Sequence, residues 1–197
     1  VYFNEDWSPS ETCFQKLTTS LFQTVSASTT DGYNSVDISK MSDASLTYIM
    51  LMMFVGASPG STGGGIKTTT FGLLIVFFFA IILRKKINLF EREIVIECIH
   101  SAIIVFTCFV FVALTDVIVL SITEKADFLQ ILFEIVSALG NTGLSMGITF
   151  NLSAIGKIML ILTMFIGRVG PLSIAYAIVS KPRKSHFSYP KTEIFVG

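Results

Sequence analysis

The 197 residues hold 14 basic and 14 acidic side chains and no formal net charge; 52% are hydrophobic and 14% charged. A soluble domain usually carries about 25% charged residues, which counts against an ordinary globular enzyme, and the zero balance argues against nucleic-acid binding through a basic surface. Cys13, Cys98 and Cys108 lack metal-ligand spacing, and His100 and His186 lie far apart. Neither a catalytic triad nor a metal cluster can be assembled from them, so the chain is expected to be no enzyme and to carry no cofactor. No signal peptide is evident and Val1 replaces an initiator Met, so the chain reads as the C-terminal part of a longer one.

Val1 to Ser10 is polar and aromatic, with Glu5, Asp6 and Trp7, and reads as an interfacial loop. Ser10 is placed to cap a short helix from Cys13 to Ala27, too short to cross a bilayer. The stretch Ser28-Thr29-Thr30-Asp31-Gly32-Tyr33-Asn34 then reads as a non-helical return. Apolar runs follow at Ser45 to Ala57 and Thr68 to Leu83, separated by Ser58-Pro59-Gly60-Ser61-Thr62-Gly63-Gly64-Gly65-Ile66-Lys67. As one helix, Ser45 to Leu83 would measure roughly 58 Å at 1.5 Å per residue, against a hydrocarbon core about 30 Å thick. The break therefore falls at membrane depth, where irregular backbone survives only against protein or a water-filled cavity.

Arg84, Lys85, Lys86 and Arg92 mark a cytoplasmic loop. Ile94 to Ser121 is a full crossing, with Glu97 and His100 read as solvated at its cytoplasmic end. Asp116, near the other end, is either solvated or an acid that attracts cations to an outer mouth. Ser121 to Asp127 reads as an outer loop, Phe128 to Gly140 as a second short helix and Asn141 to Ser145 as a second return. Ile155 to Ser180 is the last crossing, interrupted by Arg168, an expensive cation there unless paired or pore-facing. Lys181, Arg183, Lys184 and Lys191 put the tail in the cytoplasm, so both returns enter from outside.

A repeat ties these parts together. Phe22-Gln23-Thr24-Val25-Ser26-Ala27 and Gly32 are echoed 111 positions later by Phe133-Glu134-Ile135-Val136-Ser137-Ala138 and Gly143. The same ungapped offset takes Ser42 to Ser153, Met53 to Met164, Phe54 to Phe165 and Gly56 to Gly167. Unwound backbone inside a membrane needs a partner for its carbonyls, and a dehydrated cation is the natural one. Glycine at positive φ helps to turn successive carbonyls one way. Thr30, Asp31, Gly32 and Tyr33, with Asn141, Thr142, Gly143 and Leu144, are therefore the candidate cation-binding residues, through their backbone. Two copies supply half of a four-fold ring.

Three further motifs carry a family resemblance. Gly56 through Lys67 resembles the broken inner helix of the third repeat of the Trk/Ktr/HKT superfamily of potassium transporters, with the bacterial Trk/Ktr branch the nearer match. Phe165-Ile166-Gly167-Arg168-Val169-Gly170-Pro171-Leu172 resembles its fourth inner helix, and Tyr189-Pro190 through Gly197 resembles its C-terminus. Thr30 to Asn34 is also similar to the Thr-Val-Gly-Tyr-Gly filter of potassium channels. Asp31 departs from the family, which usually has a small apolar residue there.

The resemblance implies an all-α membrane protein built of helix–pore-loop–helix repeats, two of four being present here. It divides the chain into a third repeat lacking its outer helix (1–83), a cytoplasmic loop (84–93), a fourth repeat (94–180) and a cytoplasmic tail (181–197). It further implies potassium uptake across a bacterial inner membrane, with potassium held by the filter carbonyls. Gly60, Ser61, Thr62, Gly63, Gly64, Gly65, Lys67 and Arg168 would form a gate beneath the filter, although Lys67 reads equally as an interfacial charge. The expected partners are membrane lipid, a second copy and a cytosolic nucleotide-binding regulatory subunit; nucleotide is expected only on that subunit. A sodium-permeable or cation-coupled transporter of the same fold is the alternative.

Other classes fit less well. Gly60 to Lys67 nearly spells a phosphate-binding loop, but Ile66 separates the last Gly from the Lys and no strand precedes it. An inverted-repeat transporter would enter from opposite sides, whereas both units here enter from one. A membrane scaffold leaves the duplicated returns and the cost of Arg168 unexplained.

Overall fold

The computed structural model describes residues 12–61, 63–84, 88–89 and 92–170. Ser10, Thr62, Lys85, Lys86 and everything from Pro171 onward, including the basic tail, lie outside the described residues. The described chain is helical: α1 Cys13–Thr29, α2 Asp43–Phe54, α3 Thr68–Ile82, α4 Ile96–Thr123, α5 Phe128–Gly140 and α6 Ala154–Val169. A two-residue antiparallel pair, β1 Asn88–Leu89 with β2 Arg92–Glu93, closes the connection from α3 to α4.

Local chemistry sets the starts. Thr12, not Ser10, caps α1: its hydroxyl accepts the Gln15 N–H while the Gln15 side chain takes the Thr12 N–H at 2.9 Å. Asp127 and Gln130 make the same reciprocal cap at α5. Among the described helices only α4, 28 residues with a mean hydropathy of 2.8 over its best window, is long and apolar enough to cross a membrane alone. α1 and α5, at 17 and 13 residues, measure about 26 and 20 Å and stop short of a 30 Å core.

The 111-residue echo is structural as well as sequential. α1 ends at Thr29 and α5 at Gly140, its counterpart; 3-10 turns follow at Ile38–Lys40 and Thr149–Asn151; α2 and α6 begin at Asp43 and Ala154. Ser42 and Ser153 cap those two helices through their hydroxyls, accepting from Ser45 and Gly156 N–H. Each unit is therefore a short helix, a return, a turn and an inner helix.

α5 is the pivot. It packs against α2, α4 and α6, and every residue from Phe133 to Gly140 is buried. Its Phe133 and Val136 join Ile49, Met50 and Met53 of α2 in one apolar cluster; its Ile131, Ile135 and Leu139 join Phe109 and Leu120 of α4 and Leu160 of α6 in another. A helix buried all round is apolar all round, and Glu134 is the charged exception. α1 lacks such cover, with Phe14, Leu17, Leu21 and Val25 exposed.

Close backbone approach is as decisive as side-chain packing. A Cβ on Gly167 of α6 would overlap the carbonyl oxygen of Leu139, and one on Gly56 would overlap that of Gly64. At Gly140 a Cβ would lie 2.7 Å from the Met53 carbonyl oxygen. The end of α5 is thus wedged between the ends of both inner helices. Asp116, read from sequence as solvated or cation-attracting, is instead buried on α4, where its carboxylate accepts the Thr163 hydroxyl of α6.

Gly167→Ala should destabilise the fold by about 1–3 kcal/mol, as overpacking does. Gly72→Ala, where a Cβ meets nothing within 4 Å on α3, should be neutral or stabilising by up to about 1 kcal/mol. Thermal unfolding of the full-length protein in detergent distinguishes them; equal effects would contradict the wedge. A second outcome concerns Glu124, which ties the end of α4 to the start of α6. Its carboxylate accepts from the Ser153 hydroxyl at 2.5 Å and the Ser153 N–H at 3.1 Å. Those bonds hold its pKa below the ordinary 4.5. A depressed carboxylate stabilises the fold above that ordinary value and loses its contribution as pH falls through the folded-state value. Glu124→Gln should therefore cost about 1 kcal/mol at neutral pH and progressively less in acid, read as a melting-temperature difference that closes below pH 4.5.

Candidate functional site

Both returns begin with a residue forced into left-handed conformation. Thr30 has φ 61° and Asn141 φ 52°, at the same place in the repeat. Two residues on, Gly32 and Gly143 have φ 78° and 87°. Asp31 and Thr142 between them do not have positive φ, so each return alternates in hand. Such alternation turns successive carbonyls to one side of the chain, the arrangement a carbonyl-lined cation site requires. Among the described residues, no hydrogen bond reaches the carbonyls of residues 30–32 or 141–143.

The two returns meet. A Cβ on Gly32 would overlap the carbonyl oxygen of Thr142, so glycine is needed there for contact as well as for φ. Around Gly143, the equivalent position, nothing among the described residues lies within 4 Å of such a Cβ. α1 and α5 both run into this point with their C-terminal ends, where a helix carries about half a negative charge. Two helix C-termini converge on one place, which suits a cation better than an anion. Among the described residues no group of three His, Cys, Asp or Glu side chains could hold a metal ion. The backbone is the available ligand.

The expected site residues are distributed as follows. Thr30, Asp31 and Gly32 share one return with Tyr33, whose carbonyl accepts the Ser26 hydroxyl at 2.5 Å and is held against α1. The Asp31 carboxylate accepts from Thr29 Oγ1 at 2.9 Å, back toward the end of α1. In the other return Asn141 donates its side-chain N–H to the Met164 carbonyl of α6 at 2.9 Å, fastening return to inner helix. Thr142 and Leu144 are buried, with Leu144 in the α2–α5 cluster.

The glycine-rich break sits directly under these returns. It is longer than its composition suggests: α2 ends at Phe54, and a parallel bridge pairs Val55 with Ile66 across the loop. The Gly65 N–H donates to the Leu139 carbonyl at 3.1 Å, and the Ile66 N–H to that of Phe54 at 3.2 Å. A Cβ on Gly64 would lie 2.7 Å from the Gly140 carbonyl oxygen; one on Gly63 would overlap the Thr30 hydroxyl. Gly60, φ 82°, and Ser61 turn on the exposed side. Lys67 reaches back into the loop and donates to the carbonyls of Gly63 at 2.5 Å and Ser61 at 3.4 Å. Arg168 is exposed on the last turn of α6 and donates no hydrogen bond among the described residues, yet lies close enough to Lys67 for their charges to repel. Of the two cations, Lys67 holds the loop.

Sequence reasoning missed the fastening of Asn141 to Met164, the Lys67 bonds and the role of Glu134, whose carboxylate is buried behind the second return. The echo of Gln23 in Glu134 was the available signal for the last.

Comparisons with known proteins bear on the family and the fold. A family model described as TrkH, a cation transport protein, matches residues 13–189. The chain is 41% identical over 179 residues to the Ktr system potassium uptake protein D of Bacillus subtilis (strain 168), covering 90% of this chain and 40% of the relative. It is 40% identical over 183 residues to the Ktr system potassium uptake protein B of the same organism, covering 92% and 41%. The chain thus spans about two-fifths of the length of these relatives. The crystal structure of the potassium transporter TrkH from Vibrio parahaemolyticus aligns with a TM-score of 0.70 at 21% identity, over 84% of this chain and 38% of that one. That likeness carries the fold: helix–pore-loop–helix repeats. The family match over nearly the whole chain and the level of identity to two potassium uptake proteins together establish that this chain belongs to the TrkH family of membrane cation transport proteins.

Proposed function

We propose that the chain forms two of four walls of a potassium uptake pore, in which the carbonyls of Thr30 to Gly32 and Asn141 to Gly143 replace the hydration shell of a potassium ion. The observation that carries this reading is the contact of the two returns at Gly32 and Thr142, each at the C-terminus of a short helix. Carbonyls that have no partner among the described residues, with two converging helix dipoles, would compensate the ion's loss of water without a full negative charge that would trap it. The relatives' greater length leaves room for two further returns to close the ring. Basic residues at Arg84 to Lys86 and in the tail favour an orientation with the returns open to the outside and the C-terminus cytoplasmic. The same reading has the pore working as a homodimer with a cytosolic nucleotide-binding regulatory subunit.

Beneath the filter, residues 58–67 act as the gate. The Gly65–Leu139 and Lys67–Gly63 bonds hold the loop under the returns, and the charges of Lys67 and Arg168 raise the cost of an ion passing. A sodium-permeable pore is the second reading, favoured by Asp31 beside the filter glycine; its tie to Thr29 draws the carboxylate back along α1.

Ion uptake by the full-length protein in potassium-uptake-deficient cells separates these readings. Gly32→Ser should lower the preference for potassium over sodium by about ten-fold, the scale of roughly 1.4 kcal/mol of lost discrimination, while membrane insertion persists. An unchanged ratio would rule out the carbonyl filter. A low ratio already in the unmodified protein would favour the sodium reading. Lys67→Met and Arg168→Gln should each raise potassium flux several-fold with the ion ratio unchanged. Unaltered flux in both, with the protein inserted, would make the loop a structural kink.

A further inference from the structure

The two returns are alike in backbone and unlike in what stands behind them. Behind the second, Glu134 on α5 is buried, with 4% of its surface exposed. Its carboxylate accepts the Ser145 hydroxyl, and Thr149 Oγ1 donates to the same oxygen at 3.0 Å. Ser145 Oγ accepts the Gly147 N–H at 2.9 Å and lies 2.8 Å from Thr149 Oγ1. The leg that leaves the return, residues 145–149, is thus wrapped around one carboxylate. That leg begins immediately after Leu144, and the carboxylate shares a cavity of about 190 Å³ with Asn141, Gly143 and Met164.

The first return has a neutral stand-in. Gln23, the counterpart of Glu134, accepts the Ser35 N–H at 3.4 Å, and its buried side-chain nitrogen has no partner among the described residues. The hydroxyls that Glu134 uses have no equivalents there: Asn34 stands for Ser145 and Ile38 for Thr149. Hydrogen bonds to an ionised acceptor are roughly twice as strong as neutral ones. At this one position of the repeat, therefore, the second return is backed by a charged network and the first by one long bond, the first return's other ties to α1 being Ser26 to Tyr33 and Thr29 to Asp31.

We infer that Glu134 is a positioning residue for ion selection: by clamping residues 145–149 to α5 it fixes the second return as the stiff wall of the filter, against which the Gln23-backed return adjusts. A carboxylate suits this task because it only accepts, and two hydroxyl donors converge on one of its oxygens. An amide oxygen in that place could still accept both hydroxyls, but as a neutral acceptor it would hold them with roughly half the strength. The inference rests on the filter reading above, since a clamp on a return matters to selection only if the return touches the ion.

The experiment is a set of variants of the full-length protein, scored for the potassium-to-sodium uptake ratio and for the amount in the membrane. Glu134→Gln should lower the ratio by about five-fold with insertion retained. The pair Ser145→Ala with Thr149→Val, which removes both hydroxyl donors and keeps the carboxylate, should lower it similarly. All three changes together should do no more than either set, because both remove one network. Gln23→Glu should not raise the ratio, because the positions equivalent to Ser145 and Thr149 are Asn34 and Ile38, which carry no hydroxyl. Wild-type ratios in Glu134→Gln, or in the Ser145/Thr149 pair should Glu134→Gln fail to insert, would overturn the inference. So would additive losses. Gly32→Ser run alongside separates the two readings: if it shifts the ratio and the Glu134 set does not, the clamp alone fails; if neither shifts it, the filter fails.

Discussion

A carbonyl oxygen taken out of water must be paired, yet the carbonyls of residues 30–32 and 141–143 have no hydrogen-bond partner among the described residues. They can stay so only if something else keeps the backbone from collapsing into helix or turn. That something is steric. α5 is gripped on all sides, its last turn is wedged between the Met53 carbonyl, Gly64 and Gly167, and Gly32 lies against the Thr142 carbonyl. Side chains would force these backbones apart. The glycines here are spent on proximity more than on flexibility.

The same wedge couples the two halves of the proposed pore. The Gly65 N–H bonds to Leu139 of α5, and Asn141 bonds to Met164 of α6. Loop, pore helix and inner helix therefore share one small patch of backbone directly behind the second return. Movement of the loop away from Leu139 would free the carbonyl that α6 approaches through Gly167, so the proposed gate and the proposed filter would not be mechanically independent. Lys67, seated at the start of α3, supplies carbonyl contacts within the loop that keep it compact.

Much of the fold was legible because the duplication is ungapped. The offset that matched Phe22 to Phe133 also matched the ends of α1 and α5, the two 3-10 turns and the serine caps of α2 and α6. The left-handed residues Thr30 and Asn141 fall on the same offset, although their types differ. What sequence could not supply was contact at long range. Asp116 and Thr163 are 47 residues apart and meet through helix packing, so the acid that reads as a mouth residue is buried. Composition could identify Lys67 and Arg168 as unusual charges, but only the direction of their side chains distinguishes a cation on loop carbonyls from one at an exposed helix end. Thr12 displaced Ser10 as the cap because Gln15, three residues on, completes the reciprocal pair.

Heavy-cation crystallography of the full-length protein tests the central claim most directly. With thallium or rubidium replacing potassium, the account predicts anomalous density between the returns, within coordinating distance of the carbonyls of residues 30–32 and 141–143. Density confined to side-chain carboxylates such as Asp31, with those carbonyls turned away, would contradict it.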